Sequence, residues 1–303
     1  MMSDASVSWD LFGTFLAVMK HGSLSAASRE LRVAQPTVRR QMEALEEALG
    51  VVLFTRATNG LVPTETALAT LPYAEAMASQ ARALVRSVSG PQHEERGTVR
   101  VTASEIVGGE VLPPMMASLA RSHPRIQIEV ALSNRNEDLL RRDADIAVRM
   151  NKPTQAGLVT KRLADIQLGF FATPDYLAAH PPPRTLAGLQ GHALVGSDRD
   201  RGLIEGLEQA GLTLTARDFV FRSDNHLAQL AAVRAGVGIG ICQLGLSRAL
   251  ERVLPKVTLS LEAWLVMHQD LRALHRVRLV FDHLVLGLQA YAKGPLKGLR
   301  DVE

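Results

Sequence analysis

Apolar residues recur at helical spacing along the first stretch of the chain. In "WDLFGTFLAVMKHG" they fall at Leu11, Phe12, Phe15, Leu16 and Met19, and the run ends at Gly22. Ser23 is a good N-cap for a second short helix, "SLSAASREL", and "RVA" leaves only a tight connection to a third. The third runs from Ala34 to Gly50. Turning about 100° per residue from Val38 places Val38, Met42, Leu45 and Leu49 on one side, the expected core face. Pro36, Arg40, Glu43 and Glu47 fall opposite, with Arg39 and Thr37 on the flanks. "VVLFTR" and "LVPT" then read as two short strands around a turn containing Asn59-Gly60. Three helices and a hairpin make a winged helix-turn-helix.

Thr64 to about Gly90 holds no breaker except Pro72. Its apolar stripe of Ala67, Leu68, Leu71, Ala74, Met77, Ala78 and Leu84 needs a cover, either a second copy of the helix or its own domain. "SGPQHEERG", Ser89 to Gly97, reads as a hinge. Beyond it strands and helices alternate. "TVRVTA", "IQIEVAL", "ADIAVRM", "IQLGFFAT", "ALVG", "DFVFRS" and "GIGICQ" are strands; "VLPPMMASLARSHP", "NHLAQLAAVRAG" and "RVRLVFDHLVLGLQAY" are helices. That alternation predicts an α/β region of one domain or two lobes.

Composition narrows this picture. At 303 residues, 47% of them hydrophobic, the chain is expected to form two or three domains. One cysteine, Cys242, excludes an intrachain disulfide and fits a reducing compartment. "MMSDASVSWD" is too acidic and polar for a signal peptide, and the longest apolar run is too short and glycine-rich for a membrane span. A soluble cytoplasmic protein with no membrane partner is the expectation. Net charge is +3, yet residues 1–65 hold six Lys/Arg against seven Asp/Glu. If this segment binds DNA, placement of charge must do it.

Placement does favour it. The exposed face of the third helix is positive in its first two turns and negative afterwards, as suits a helix entering a major groove by its N-terminal end. Arg40 would face base edges, where arginine pairs with guanine bidentately, and Arg39 is better placed for a phosphate. Gln35 and Thr37 can donate, and Pro36 is tolerated in the first turn. Arg56 and Asn59 of the wing would lie near the flanking groove. A solvated surface helix is the plainer alternative.

"FLAVMKHGSLSAASRELRVAQPTVRRQMEALEEALGVVLFTR", Phe15 to Arg56, resembles the N-terminal domain of LysR-type transcriptional regulators. The likeness rests on Gly22-Ser23, Ala26-Ala27, Leu31, Gln35-Pro36, Leu45-Glu46, Leu49-Gly50 and Leu53-Phe54-x-Arg56. "LLRRDADIAVRM", "PDYLAAHP", "AVRAGVGIGI" and "AWLVMHQDLRALHRVRLVFDHL" are similar to parts of that family's effector domain. Three positions depart from the pattern: Ala34 stands where serine is usual, Arg39 where a small hydroxyl residue is common, and Ala67 where glycine is usual.

The resemblance implies an α+β multi-domain protein. A winged helix-turn-helix would fill 1–64, a linker and dimerisation helix with its hinge 65–95, and a two-lobed α/β domain like periplasmic binding proteins 96–303. Lobe I would take about 96–165 and 268–303, lobe II about 166–267, with crossover strands near Ala164–Gln167 and Glu262–Met267. It implies sequence-specific binding of double-stranded DNA, a homodimer or homotetramer, a small-molecule effector rather than a cofactor or metal, and contact with RNA polymerase. Ser23 joins Gln35, Pro36, Thr37, Arg39, Arg40, Arg56 and Asn59 as DNA-binding candidates.

In α/β sheets, ligands sit beyond strand carboxyl ends, often at helix N-termini. Ser104, Glu105 and Ile106 follow a strand and precede a helix, as do Ser223, Asp224, Asn225 and His226. Arg149 ends "ADIAVR" and is suited to a carboxylate; Ser197 follows "ALVG". Each has a plainer role available. Ser223 or Asp224 would cap a helix, Arg149 would pair between lobes, and Cys242 would be a buried inert thiol rather than a redox sensor. Glu105 would repel an anion. "GVGIG" lacks the spacing of a dinucleotide loop, "HEERG" is not H-E-x-x-H, and no G-x-S-x-G is present, so an enzyme is not expected. A transporter's solute-binding protein and a DNA-binding protein without a ligand are the remaining rivals.

Overall fold

A computed structural model describes residues 7–57, 60–88, 94–134, 144–153, 158–200, 202–209 and 211–294. The chain divides into two compact units, one built on Met1–Val85 and the other on Arg86–Leu140 with Ala144–Glu303.

In the first unit, α1 (Trp9–His21), α2 (Leu24–Leu31) and α3 (Gln35–Leu49) precede a hairpin of β1 (Phe54–Ala57) and β2 (Gly60–Pro63), then α4 (Glu65–Val88). Gly22 ends α1 with φ 60°, the left-handed geometry glycine adopts without strain. Ser23 then caps α2, its Oγ accepting from the Ala26 N–H at 3.4 Å. Phe15, Val18, Ala27, Val38, Met42, Leu45 and Leu53 form one apolar core. Full burial of each larger side chain stabilises by about 1.5–3 kcal/mol. Leu49, expected in that core, is 38% exposed. It belongs to the last turn of α3, where Gly50 in the left-handed region ends the helix.

The hairpin is fastened at three points. Leu61 N–H donates to the Gly22 carbonyl at 2.8 Å, and an added Cβ on Gly60 would lie 2.6 Å from that oxygen. Glu46 Oε1 accepts from Leu53 N at 2.6 Å and Phe54 N at 3.2 Å. Thr64 donates its hydroxyl to the Val52 carbonyl at 2.9 Å while accepting from Ala67 N at 3.2 Å, so one side chain joins hairpin and α4. Ala67 is fully buried. The helix α4 continues through Pro72. Ala67, Leu71 and Ala74 pack on the core, whereas Leu68, Tyr73, Leu84 and Val85 are exposed.

The second unit holds a seven-stranded sheet in the order β10-β6-β11-β5-β3-β4, with β9 also pairing β6. Strands β3 (Gly97–Ala103), β4 (Ile126–Leu132) and β5 (Ile146–Arg149) are mutually parallel and flanked by α5 (Leu112–Ser122) and α9 (His275–Ala292). The other end carries β9 (Gly240–Gln243), β10 (Glu251–Val253), a separate parallel pair β7 (Leu194–Gly196) and β8 (Phe219–Arg222), and α6 (Pro174–Ala179), α7 (Gly202–Gln209) and α8 (His226–Arg234). Two long antiparallel strands join these ends: β6 (Leu158–Ala172) and β11 (Leu259–His268), with Ala164 opposite Ala263 and an irregularity between Ala263 and Trp264. The crossings expected near Ala164–Gln167 and Glu262–Met267 lie on these strands. One apolar core gathers Val101, Leu112, Met115, Ile146, Leu265 and Leu284; a second gathers Phe170, Leu189, Leu194, Leu214 and Ile239. The sheet region therefore has two lobes. The first core also takes in Leu230, Cys242 and Leu246 from the second lobe. The lobes also meet at an ion pair, with Arg234 gripping both oxygens of Glu110 at 2.9 and 3.0 Å.

Candidate nucleic-acid interface and ligand cavity

Helix α3 presents the expected faces. Val38, Met42 and Leu45 are buried, while Gln35, Pro36, Arg39, Arg40, Glu43 and Glu47 are exposed and Thr37 is half-buried. Ala34 supplies no side-chain cap, and because Pro36 has no N–H and the Thr37 and Val38 N–H groups donate to the Ala34 carbonyl, the Gln35 N–H is the first-turn donor left to an outside acceptor. Arg39, Arg40 and the wing's Arg56 form no ion pair among the described residues. By contrast, Lys20 and His21 are both engaged by Glu30, and their hydrogen bonds, the lysine's foremost, hold its carboxyl below the usual range. The exposed cations without an ion pair among the described residues of the three helices and hairpin therefore include Arg39, Arg40 and Arg56, and also Arg29 on α2, whose Nη1 donates to Ser25 Oγ at 3.3 Å. Arg32 joins them: it is exposed, unpaired among the described residues, and ends α2 at φ 56° just ahead of α3. It lies in the turn between α2 and α3 and so on no helix face, and its position in that turn is the only sequence signal for it. Ser23 spends its oxygen on the α2 cap. Asn59 lies outside the described residues.

In the second unit a cavity of about 330 Å³ opens at the carboxyl ends of all three parallel strands. Ser104 follows β3, Ser133 and Asn134 follow β4, and Arg149, Met150 and Asn151 end β5. Ile106, His226, Gln229, Leu230, Ile241 and Gln243 complete much of the wall. The volume is at the small end for ligand pockets, and nine of the eighteen lining residues carry polar or charged side chains, Asp200 and Arg149 among them. Arg149 is 5% exposed; its Nη1 donates to the Val148 carbonyl at 3.1 Å and its Nη2 meets Thr102 Oγ1 at 3.5 Å. Cys242 also faces the cavity, and burial pushes its thiol up to about 12. It stays protonated at neutral pH, the state of an inert thiol.

Four of the eight expected cavity residues line it: Ser104, Ile106, Arg149 and His226. The other four do not, and three of these serve the backbone or another side chain. Asn225 caps α8 by accepting from Ala228 N at 2.9 Å. Ser223 Oγ accepts from Asn225 N at 3.2 Å, and Ser197 Oγ accepts from Gln229 Nε2 at 3.3 Å. Glu105 is fixed through its N–H to Asn134 Oδ1 at 3.2 Å, and its side chain is not on the cavity wall. Asp224 likewise is structural: Oδ1 accepts the N–H groups of Asp198, Arg199 and Asp200, and those bonds, Arg199's first, lower its pKa. Ser133 and Asn134 follow β4 and line the cavity as well, a placement that the rule for strand ends also predicts.

A family model described as "Bacterial regulatory helix-turn-helix protein, lysR family" matches residues 9–68, and one described as "LysR substrate binding domain" matches residues 92–288. The HTH-type transcriptional regulator PtxR of Pseudomonas aeruginosa is 28% identical over 232 residues, covering 75% of this chain and 73% of that protein. The probable HTH-type transcriptional regulator LtrA of Klebsiella pneumoniae is 26% identical over 298 residues, covering 93% and 96%. The solved structure of full-length CbnR complexed with its target DNA shares the fold, with a TM-score of 0.65 at 20% identity over 94% of this chain and all of that one. With both domain models matched in order along its length, this chain belongs to the LysR family of DNA-binding transcriptional regulators.

Proposed function

We propose that the protein grips operator DNA through the first two turns of α3 and the β1–β2 wing, and that a small molecule in the cavity of the second unit adjusts this binding. The observation that carries the reading is the pair of exposed arginines, Arg39 and Arg40, that form no ion pair among the described residues, on a helix whose opposite face is locked into the core. Arg40 reads base edges, Arg39 and Arg56 hold phosphates, and Gln35 and Thr37 donate near the helix start. Domain limits of 1–64, 65–95 and 96–303 follow from these roles. The exposed Leu68, Tyr73, Leu84 and Val85 of α4 suit an apolar seam between two copies, and two copies suit paired DNA half-sites. Ser104, Ile106, Arg149 and His226 contact the effector. No described helix is long and apolar enough to cross a membrane, which fits work on chromosomal DNA in the cytoplasm.

Sequencing the genomic fragments that the protein retains, with and without candidate metabolites, tests this. A recurring motif of two half-sites, with affinity falling steeply as salt rises, is the expected result. Retention without any shared motif would contradict it.

A further inference from the structure

Two buried glutamines bear on what the cavity selects. Gln229 on α8 is 8% exposed, Gln243 at the end of β9 is 4% exposed, and both line the cavity. A glutamine amide carries an accepting oxygen and a donating NH2 group, and its partners decide which is left over. Gln229 Nε2 donates to the Ser223 carbonyl and to Ser197 Oγ. A carbonyl oxygen only accepts, so this amide cannot be reversed. No described residue donates to Gln229 Oε1.

Gln243 is arranged the other way round. Its Oε1 accepts the Tyr291 hydroxyl at 2.6 Å. Tyr291 is 3% exposed, and Gln243 is its only hydrogen-bond partner among the described residues. A reversed amide would strand the phenolic proton in the core, where an unmade bond is costly. Burial also raises the tyrosine's pKa, so that proton stays in place. Gln243 Nε2 is therefore the group left over. Arg149 also lines the cavity, as do Asp200, the amides Asn134 and Asn151, and apolar Ile106, Leu168 and Leu230.

We infer that this cavity, read as the effector site, selects a small carboxylate whose apolar skeleton also bears a hydrogen-bond donor. Gln243 Nε2 and Arg149 receive the carboxylate, and Gln229 Oε1 receives the donor. The inference rests on the proposed role of the cavity. A ligand with no donor, or with its donor blocked, leaves Gln229 Oε1 dehydrated and unpaired, and sites built to hydrogen-bond a hydroxyl reject analogues that lack it.

Calorimetric titration of the full chain with two matched sets tests this: benzoate, 3-hydroxybenzoate and 3-methoxybenzoate; butyrate, 3-hydroxybutyrate and 3-methoxybutyrate. In at least one set the hydroxyl member is expected to bind about tenfold or more tightly than its two companions. Gln229→Met should bring that ratio close to one. Ser197→Ala, which keeps Gln229 Oε1 and the Ser223 bond, should preserve it and so separates loss of the acceptor from loosening of the site. Equal binding of hydroxyl and methoxy members, an unchanged ratio in Gln229→Met, or no binding by either set would overturn the inference. Failure of the cavity reading shows differently: a bound probe whose affinity survives cavity filling by Leu168→Trp sits elsewhere.

Discussion

Replacing Gly60 by alanine probes how the wing is held. Gly60 has φ 136°, and its new Cβ would stand 2.6 Å from the Gly22 carbonyl oxygen. That oxygen accepts the Leu61 N–H at 2.8 Å, so the methyl group cannot enter without lifting β2 from the α1–α2 turn. Backbone strain of this kind costs about 1–3 kcal/mol in a non-glycine residue. The lost hydrogen bond adds about 0.5–1.5 kcal/mol. A penalty of about 2–4 kcal/mol should lower the unfolding transition of the first unit by about 10 °C or more. Gly13→Ala is the matched control. It lies inside α1 with nothing within 4 Å of an added Cβ, and it should stabilise by about 0.5–1 kcal/mol. Differential scanning calorimetry of the full chain, with hydrogen exchange at the Leu61 amide, reads both effects. If Gly60→Ala unfolded within about 0.5 kcal/mol of the parent and Leu61 kept its protection, the docking of the wing on Gly22 would be refuted.

Other outcomes follow from the second unit. With its thiol pushed up to about 12, Cys242 should resist iodoacetamide at pH 8 in the folded chain and react at once after unfolding in urea; rapid alkylation of the native protein would contradict its burial. Asp224→Asn should loosen the turn at 198–200. Because the folded pKa of Asp224 is lowered, its stabilising effect is present above the unfolded value and fades as pH falls through the folded one. The gap in unfolding midpoint between parent and variant should thus be open at pH 7 and close in acid; a gap constant down to pH 2 would exclude the carboxylate as its source. Glu110→Gln leaves half of the grip of Arg234 and should favour a wider separation of the lobes, visible as faster hydrogen exchange in α8; unchanged exchange there would show that the pair does not hold the lobes.

Legibility in the sequence followed the length of each pattern. α3 was readable because Val38, Met42 and Leu45 repeat over a 15-residue helix, and it misled only at Leu49, where the helix stops. α6, α7 and β10 run for six, eight and three residues and show no clear period; α2 is as short as α7 but was marked by its Ser23 cap. The first half of β6 was hidden by Lys161, Arg162 and Asp165, charges that this strand carries on exposed positions. At the cavity, Ser104 and Arg149 were legible because strand ends are. Asn225 caps α8 and does not line the cavity, because the residue types suited to ligands are also those that cap helices. Gln229 and Gln243 gave no signal, since the orientation of each amide is set by Ser197, Ser223 or Tyr291 and, for all but Ser223, those partners lie far away in sequence.

Assignment of the exposed first turns of α3 to the major groove is tested most directly by gel-shift titration of Arg40→Ala and Arg39→Ala. Each would be run on a selected operator and its single-base variants over a range of salt. Arg40→Ala should lose about 1–3 kcal/mol of discrimination at one base position. Arg39→Ala should weaken all sequences alike and reduce the salt slope by about one. Unchanged affinity and unchanged base preference in Arg40→Ala would contradict the assignment.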